Sequence, residues 1–331
     1  WGHERNLPGE PERRRINQAL DKLAGLKFKN PYYNTYRFYY ENLDVWSFDD
    51  RGTLHAVHAF LRNLGVRWYL PGEIGEVVPD RDTIRLPEEM SRIVKPAFPL
   101  RVWQFWSRPW GVQEKDALWR MRHGLHIGQH DILGIPQIVH GMKFVLERKQ
   151  VKQAHPEYYA LAGGKRNTEH KRHGAPCLSS EGVFRRHVAY GRTIFDHYDE
   201  PMLSIDVVDG YSGEACTCPR CAAAHTPERG ADGALSDYVW GYLDRVARAV
   251  YTSHPDKMVS GVAYGSYRRP PEHIDQMSPN LALFLMSPRQ HFQNTTHRTG
   301  FLEMFKAWQR ILPSDRFFMF ENVAYNWPKH G

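Results

Sequence analysis

Acidic residues and cysteines crowd into one stretch of the sequence, "IDVVDGYSGEACTCPRC", which runs from Ile205 to Cys221. It contains Asp206, Asp209 and Glu214, three carboxylates that could donate or accept protons in a reaction. An apolar run precedes the acids, as expected for a buried strand that delivers them. The stretch therefore predicts either the mouth of an active site or a metal-binding loop.

Asp206 lies within the predicted strand "MLSIDVVD", in which alternate residues face opposite sides. One side is wholly apolar, with Leu203, Ile205 and Val207, so Asp206 points to the other side and into the fold. A buried charge is costly unless it is paired or used. Asp206 is therefore either the partner of an Arg or Lys or a member of the active site. Asp209, just beyond the strand, either meets substrate or forms an Asp-Gly turn.

A second apolar strand, "RFFMFE", ends abruptly in Glu321. The alternative for this acid is a salt bridge at the rim of the fold. Two carboxyl groups on facing strand ends are the arrangement that hydrolyses glycosidic bonds. One protonates the leaving oxygen, and the other stabilises the oxocarbenium-like charge, activates water or orients a substrate acetamido group. We assign Asp209 and Glu321 to this pair, with Asp206 and Glu214 in reserve.

Four further residues are candidates for sugar contacts. His140 and Tyr264 come at the ends of predicted strands, where a side chain can hydrogen-bond a hydroxyl group. Trp103 and Trp106 flank the end of the predicted strand "LRVWQFW" and could stack on a pyranose face, although large aromatic residues more often pack in a core. Aromatic residues make up 13% of the chain, which suits either role.

The cysteines follow the pattern C-x-C-x-x-C at Cys216, Cys218 and Cys221, which is compact enough to present three thiolates to one ion. His225 or the distant Cys177 could complete a tetrahedral structural zinc site. A disulfide is the second alternative, especially in an exported protein, and free thiols are the third. In each case the cysteines stabilise the loop in which they lie, and we do not interpret them as nucleophiles.

Strands alternate with helices from about Pro99 onward, which indicates a parallel sheet. The glycine signature of a dinucleotide-binding sheet is absent after every strand. Polar residues recur instead at the carboxyl ends of several strands, as in barrel enzymes. We therefore predict the α/β class and a (β/α)8 barrel over residues 98–331, truncated before its last strand. The predicted strands include "IPQIVHGMKFV", "MLSIDVVD", "KMVSGVAYG", "LALFLMS" and "RFFMFENV".

Residues 1–97 predict a small α+β domain that is itself truncated. Its apolar spacing indicates a helix over Thr53–Asn63 that Gly65 ends. In the barrel region, "LSDYVWGYLDRVARAVYTSHP" is the clearest helix, and "TGFLEMFKAWQRIL" is another. The first of these carries one apolar stripe, formed by Tyr238, Tyr242, Val246 and Val250.

The composition is that of a folded globular protein. The 331 residues include 41% hydrophobic and 24% charged residues, with a net charge of +7. Basic and acidic residues are mixed along the chain, so no basic stripe for nucleic acid is evident. No run of eighteen apolar residues predicts a membrane span, and there is no signal peptide. The chain opens on Trp1 without a methionine, so we expect it to be a piece of a longer protein.

Five segments, in this order, resemble the domain-of-unknown-function family numbered 4838. The resemblance covers about Asp49 to Glu321. That family is similar to glycoside hydrolase family 163, and it shares with families 67 and 20 a small α+β domain ahead of a (β/α)8 barrel. The segments are "DDRGTLHAVHAFLRNLGVRWYLPGEIGEVVP", "HPEYYALAGGKR", "CLSSEGV", "DVVDGYSGEACTCPRC" and "PDKMVSGVAYG".

The resemblance implies a secreted or periplasmic bacterial carbohydrate-active enzyme. The members that form family 163 are endo-β-N-acetylglucosaminidases acting on complex N-glycans. Asp209 matches the acid that precedes the family's cysteine knuckle, and the three clustered cysteines match the knuckle itself. The adjacent Asp-Glu pair of family 20 is absent, since Gly210 follows Asp209 and the next acid is Glu214. Attack by a substrate acetamido group is therefore not implied.

Together these observations predict a glycosidase whose partner is an oligosaccharide or glycoprotein glycan. No cofactor is expected for catalysis, and structural zinc is expected only if the cysteines bind metal. A non-catalytic glycan-binding protein on a barrel scaffold is the alternative from another class. A zinc-dependent hydrolase is the third.

Overall fold

The computed structural model describes residues 39–40, 45–46, 51–86, 93–96, 101, 114–126, 140–147, 149–168, 175–197, 201–287, 291–312 and 316–321. The described residues up to His126 belong to one compact unit, and those from His140 onward belong to a second. The predicted domain boundary between residues 97 and 98 stays a prediction. Trp103, Trp106 and the strand "LRVWQFW" that carries them lie outside the described residues, apart from Arg101.

The described residues of the first unit form short antiparallel strand pairs and two α-helices. Helix α1 matches the prediction to within a residue, and Gly65 follows it with a φ of 98°, a conformation that glycine adopts without strain. The elements are β1 (Tyr39–Tyr40) paired with β2 (Val45–Trp46), α1 (Gly52–Asn63), β3 (Arg67–Trp68) paired with β4 (Glu76–Val77), and α2 (Glu114–Arg122).

A parallel four-stranded sheet forms the centre of the second unit. Its strands are β7 (Met202–Ser204), β8 (Met258–Ala263), β9 (Leu281–Ser287) and β10 (Phe317–Glu321), and they lie side by side in chain order. Every neighbouring pair is parallel. The prediction of an α/β fold with a parallel sheet is confirmed. Strand β9 is almost wholly buried, as expected of a strand covered on both faces.

Among the described residues, three long helices accompany this sheet: α4 (Glu181–His197), α6 (Ser236–Tyr251) and α7 (Thr295–Ile311). The apolar stripe predicted for α6 is confirmed, since its four residues are buried. Helix α7 begins four residues before the predicted segment, because the Asn294 side chain accepts hydrogen bonds from the first turn. The shorter elements are α3 (Lys149–Ala154), β5 (Leu161–Ala162) paired with β6 (Lys165–Arg166), and α5 (Pro219–Ala222).

Two predicted strands differ from the structure. The part of "IPQIVHGMKFV" that is described, from His140, forms a 3-10 helix over Gly141–Val145 instead of a strand. Strand β7 ends at Ser204, five residues before the predicted end at Asp209. Both differences have the same physical reason. This 3-10 helix packs against the end of β7 and forms hydrogen bonds with backbone groups that a longer strand would use. Its Met142 N–H donates to the carbonyl of Asp206 at 3.0 Å.

Gly141 makes this close approach feasible. A Cβ atom at this position would lie 1.9 Å from the carbonyl oxygen of Ser204, so no other residue fits without moving the backbone. The segment that carries His140 is thus held directly against the end of β7. Among the helices of the described residues, none has the length and apolar composition needed to cross a membrane.

Candidate active site at the carboxyl edge of the sheet

Four of the predicted site residues meet at one edge of the sheet. Asp206 and Asp209 follow β7, and Tyr264 follows β8 directly. Because the two strands are parallel, their carboxyl ends lie at the same edge, where α/β proteins commonly bind ligands. His140 reaches this edge from the segment that precedes the 3-10 helix.

His140 is oriented by the backbone of the segment after β7. Its Nδ1 lies 2.7 Å from the carbonyl oxygen of Val207. A carbonyl can only accept, so Nδ1 carries the proton and the Nε2 of a neutral ring carries the lone pair. His140 also has a φ of 61°, the only positive φ of a non-glycine residue in the described part of the chain. Such left-handed backbone is uncommon outside glycine, although Asn, Asp and His adopt it more readily than other residues, and it clusters at functional sites.

Asp206 is a fully buried carboxyl group. Neither of its oxygens makes a well-formed hydrogen bond within the described residues, and the nearest basic side chain there is that of His140, whose Nδ1 lies 3.9 Å away. Burial raises the pKa of Asp206 to about 7, and nearby backbone N–H groups of Val262, His140 and Val207 offset this only in part. The alternative of an Arg or Lys partner therefore finds no support in the described residues. Asp206 can hold a proton near neutral pH.

Asp209 lies at the rim of the cluster and is partly exposed. The hydroxyl of Tyr264 donates a long hydrogen bond to its Oδ1, at 3.4 Å. The Tyr264 ring also contacts the His140 ring edge to face, with the centroids 6.5 Å apart. Gly210 has a φ of 78°, so the Asp-Gly turn is formed as well. The turn and the contact with Tyr264 are compatible, because the turn leaves the carboxylate at the rim.

The other two predicted acids are Glu321 and Glu214. Glu321 is the last residue of β10 and is paired with Ser287 of β9, at the same edge of the sheet; its side chain lies outside the described residues. Glu214 accepts a hydrogen bond from the Asn167 side chain, at 3.2 Å. This contact ties Glu214 to the residue that follows the β5–β6 hairpin.

Tyr267 was missed by sequence reasoning. It is buried, and its ring packs edge to face against that of Tyr264, with the centroids 5.2 Å apart. Burial raises the pKa of Tyr267 well above its usual range, and the nearby Asp206 carboxylate adds to the rise. The signal was the three-residue spacing in "YGSY", because residues i and i+3 share a face on the 3-10 helix that forms there.

The cysteines form a second cluster. The sulfur atoms of Cys177, Cys216, Cys218 and Cys221 all lie within 4.8 Å of one another, and all four side chains are buried. None of them forms a disulfide in this structure. His225 is not a member of this group, and its ring packs against the ring of Tyr238, with the centroids 4.8 Å apart. Cys177 thus takes the fourth position, for which the sequence offered both residues.

Most of the chain matches one protein family. The family model described as "Domain of unknown function (DUF4838)" matches residues 70–327, which is most of the chain. The chain belongs to the DUF4838 family. No curated protein and no solved structure matches the chain. The DUF4838 match spans the whole parallel sheet, the cluster at the carboxyl ends of its strands and the four cysteines. These features therefore all lie within the DUF4838 region.

Proposed function

We propose that this chain is a glycoside hydrolase whose active site is the carboxyl edge of the parallel sheet. The observation that carries the proposal is the cluster formed there by Asp206, Asp209, His140 and Tyr264. It combines a buried carboxyl group that titrates near pH 7 with a partly exposed carboxylate at the rim. The carboxylate at the rim is placed to reach a substrate, whereas the buried carboxyl group can act only on the side chains around it.

We propose a (β/α)8 barrel as the scaffold. The strands β7 to β10 lie in chain order, each parallel to the last. A doubly wound sheet reverses its strand order at a switch point, where its ligand binds, whereas a barrel continues in one direction. No reversal occurs among these four strands. Their order therefore supports the barrel.

Asp209 and Glu321 are the proposed catalytic pair. Asp209 accepts a hydrogen bond from Tyr264, which orients it at the rim. Glu321 ends β10, three strand spacings from β7, which is about 14 Å along a flat sheet. Closure of the sheet into a barrel would turn this strand end toward Asp209 across the central axis. Catalysis needs carboxyl groups roughly 5–9.5 Å apart.

The proposed substrate is a complex glycan with a β-linked N-acetylglucosamine. This choice rests on the resemblance to glycoside hydrolase family 163, which also underlies the proposal that the protein is secreted or periplasmic. In such a site, His140 and Tyr264 would contact sugar hydroxyl groups. Asp206 is too deeply buried to touch the sugar, so we give it a positioning role, through His140.

Substitution of the acids tests this function. The full chain is first assayed against a panel of aryl glycosides and N-glycans, with identification of the products. Asp209→Asn and Glu321→Gln should each lower turnover about 10²–10⁴-fold, because each removes a proton transfer or a charge in the transition state. Asp256→Asn is the matched control, since this exposed acid precedes β8 at the opposite edge of the same sheet.

Two outcomes would contradict the assignment. If both amide variants hydrolyse a proven substrate at nearly the wild-type rate, Asp209 and Glu321 are not catalytic. If the wild-type chain binds glycans from the panel without cleaving any of them, the non-catalytic glycan-binding function is correct instead. Equal losses in Asp256→Asn would show that the effect is structural.

A further inference from the structure

All four cysteines of the chain come together in one place. Three lie in the loop between β7 and α6, and Cys177 lies 39 residues before the first of them, ahead of α4. We propose that Cys177, Cys216, Cys218 and Cys221 bind one zinc ion in a closed tetrathiolate site that is structural. This site is separate from the proposed catalytic pair and does not depend on it.

The spacing of the sulfur atoms suits a tetrahedral ion. Zinc–sulfur bonds of about 2.3 Å place the four sulfurs of a tetrahedral site about 3.8 Å apart. The Sγ of Cys177 lies 3.9 Å from that of Cys218 and 3.6 Å from that of Cys221. A disulfide requires about 2.05 Å, and it would pair the sulfurs two by two. Four sulfurs that are all mutually close match one central ion better than two separate bonds.

Groups around the sulfurs would stabilise thiolates. The backbone N–H of Leu161 donates to the Cys216 Sγ at 3.2 Å, and an Arg166 guanidinium nitrogen lies 3.8 Å from the same atom. The hydroxyl groups of Ser179 and Tyr238 each lie 3.1 Å from the Cys221 Sγ. Four thiolates around Zn²⁺ leave a net charge of −2. A buried charge of this kind is tolerated only with such donors and a positive side chain nearby.

The donor set defines the class of metal. Four sulfurs select zinc or iron over magnesium and calcium, which prefer oxygen ligands. Four protein ligands leave no coordination position for substrate or water, so the ion would be structural. A surface groove of about 430 Å³ is lined by Cys177 and Cys218 together with Arg166. This groove provides the entry path that a metal site requires.

The ion would fasten the loop that carries the proposed active site. Cys216 comes seven residues after Asp209. Between them, the Tyr211 hydroxyl donates to the carbonyl of Pro176 at 2.9 Å, next to Cys177. Bound metal would therefore form a second link between the segment before α4 and the loop after β7, next to this hydrogen bond. We expect its loss to loosen the position of Asp209.

Metal analysis of the purified full chain tests the proposal directly. We expect one zinc per chain and four thiols that are protected in the folded protein. Titration with an organomercurial should release the zinc as the thiols react, and this measurement needs no variant. After replacement by Co²⁺, the visible spectrum should show tetrahedral cobalt with thiolate charge-transfer bands. None of these measurements depends on glycosidase activity, so failure of the proposed function would leave them unchanged.

Two variants identify the fourth ligand. Cys177→Ser should bind well below one zinc per chain, whereas His225→Ala, the matched control, should retain one. The opposite result would replace Cys177 by His225 and overturn the assignment. So would a metal-free chain whose thiols react only after reduction, because that result indicates disulfides. A reduced wild-type chain that takes up neither Zn²⁺ nor Co²⁺ would also overturn it.

Discussion

Among the described acidic residues, Asp206 lies in the environment least like that of a surface acid. Its carboxyl group is fully buried, and the imidazole of His140 approaches it from a strained backbone position. An unpaired carboxylate in such a place costs free energy, so the proton binds more tightly in the folded chain than in the unfolded one. Natural proteins retain costs of this kind chiefly where function requires them.

The stability of the protein should reflect this proton. The Asp206 carboxyl releases it near pH 3.8 when unfolded and near pH 7 when folded. Between these values the folded state holds a proton that the unfolded state has lost, so a rise in pH destabilises the fold, by on the order of 4 kcal/mol. Asp206→Asn does not titrate and should lack this loss, as measured by urea unfolding at pH 4–8. Parallel pH profiles for the two proteins would contradict the prediction.

At the scale of elements, the packing of α6 on the sheet depends on a glycine. Gly261 lies in the middle of β8, and a Cβ there would come within 2.7 Å of Leu243 and 3.2 Å of Trp240. The side chains of α6 therefore occupy the space above the strand. The same helix contains Gly241, where a Cβ would meet nothing within 4 Å. One glycine is required by packing, and the other is not.

The two glycines give a matched pair of substitutions. Gly261→Ala should lower the free energy of unfolding by about 1–3 kcal/mol, because a well-packed core does not accept an added methyl group. Gly241→Ala should raise it by about 0.5–1 kcal/mol, because alanine restricts the unfolded chain and favours the helix. Urea denaturation measures both. A Gly261→Ala variant as stable as the wild type would show that α6 can move away from β8.

At the scale of the whole molecule, the chain divides into two compact units. The cysteine cluster and the sheet with its candidate site all lie in the second unit. The first unit's described residues contribute few fully buried side chains, among them Trp68, Ala117 and Met121. The proposed metal site therefore belongs to the second unit alone.

This division predicts two thermal transitions in calorimetry. Gly261→Ala identifies the transition of the second unit, because it perturbs only that core. Removal of zinc should lower the melting temperature of the same transition, by about 2–4 °C for each kcal/mol of stability lost. The other transition should stay where it is, and re-addition of zinc should reverse the shift. A zinc effect on the transition that Gly261→Ala leaves unchanged would contradict this prediction.

Much of the local structure follows from the sequence alone. The stripe of Tyr238, Tyr242, Val246 and Val250 predicts α6, and the apolar runs predict the parallel strands, because periodicity encodes which side of an element is buried. The positions of Asp209 and Tyr264 just beyond their strands predict that they share an edge. Each of these inferences depends on residues that are close together in the chain.

The tertiary structure decided the relations between distant segments. Cys177 joins the cysteine knuckle because the segment before α4 packs beside the loop after β7, and no spacing in the sequence encodes that contact. His140 faces Asp206 because Gly141 allows its segment to pack on Ser204, which also ends β7 early. Local patterns specify faces and ends of elements. The partners of those faces are selected only when the whole core is packed.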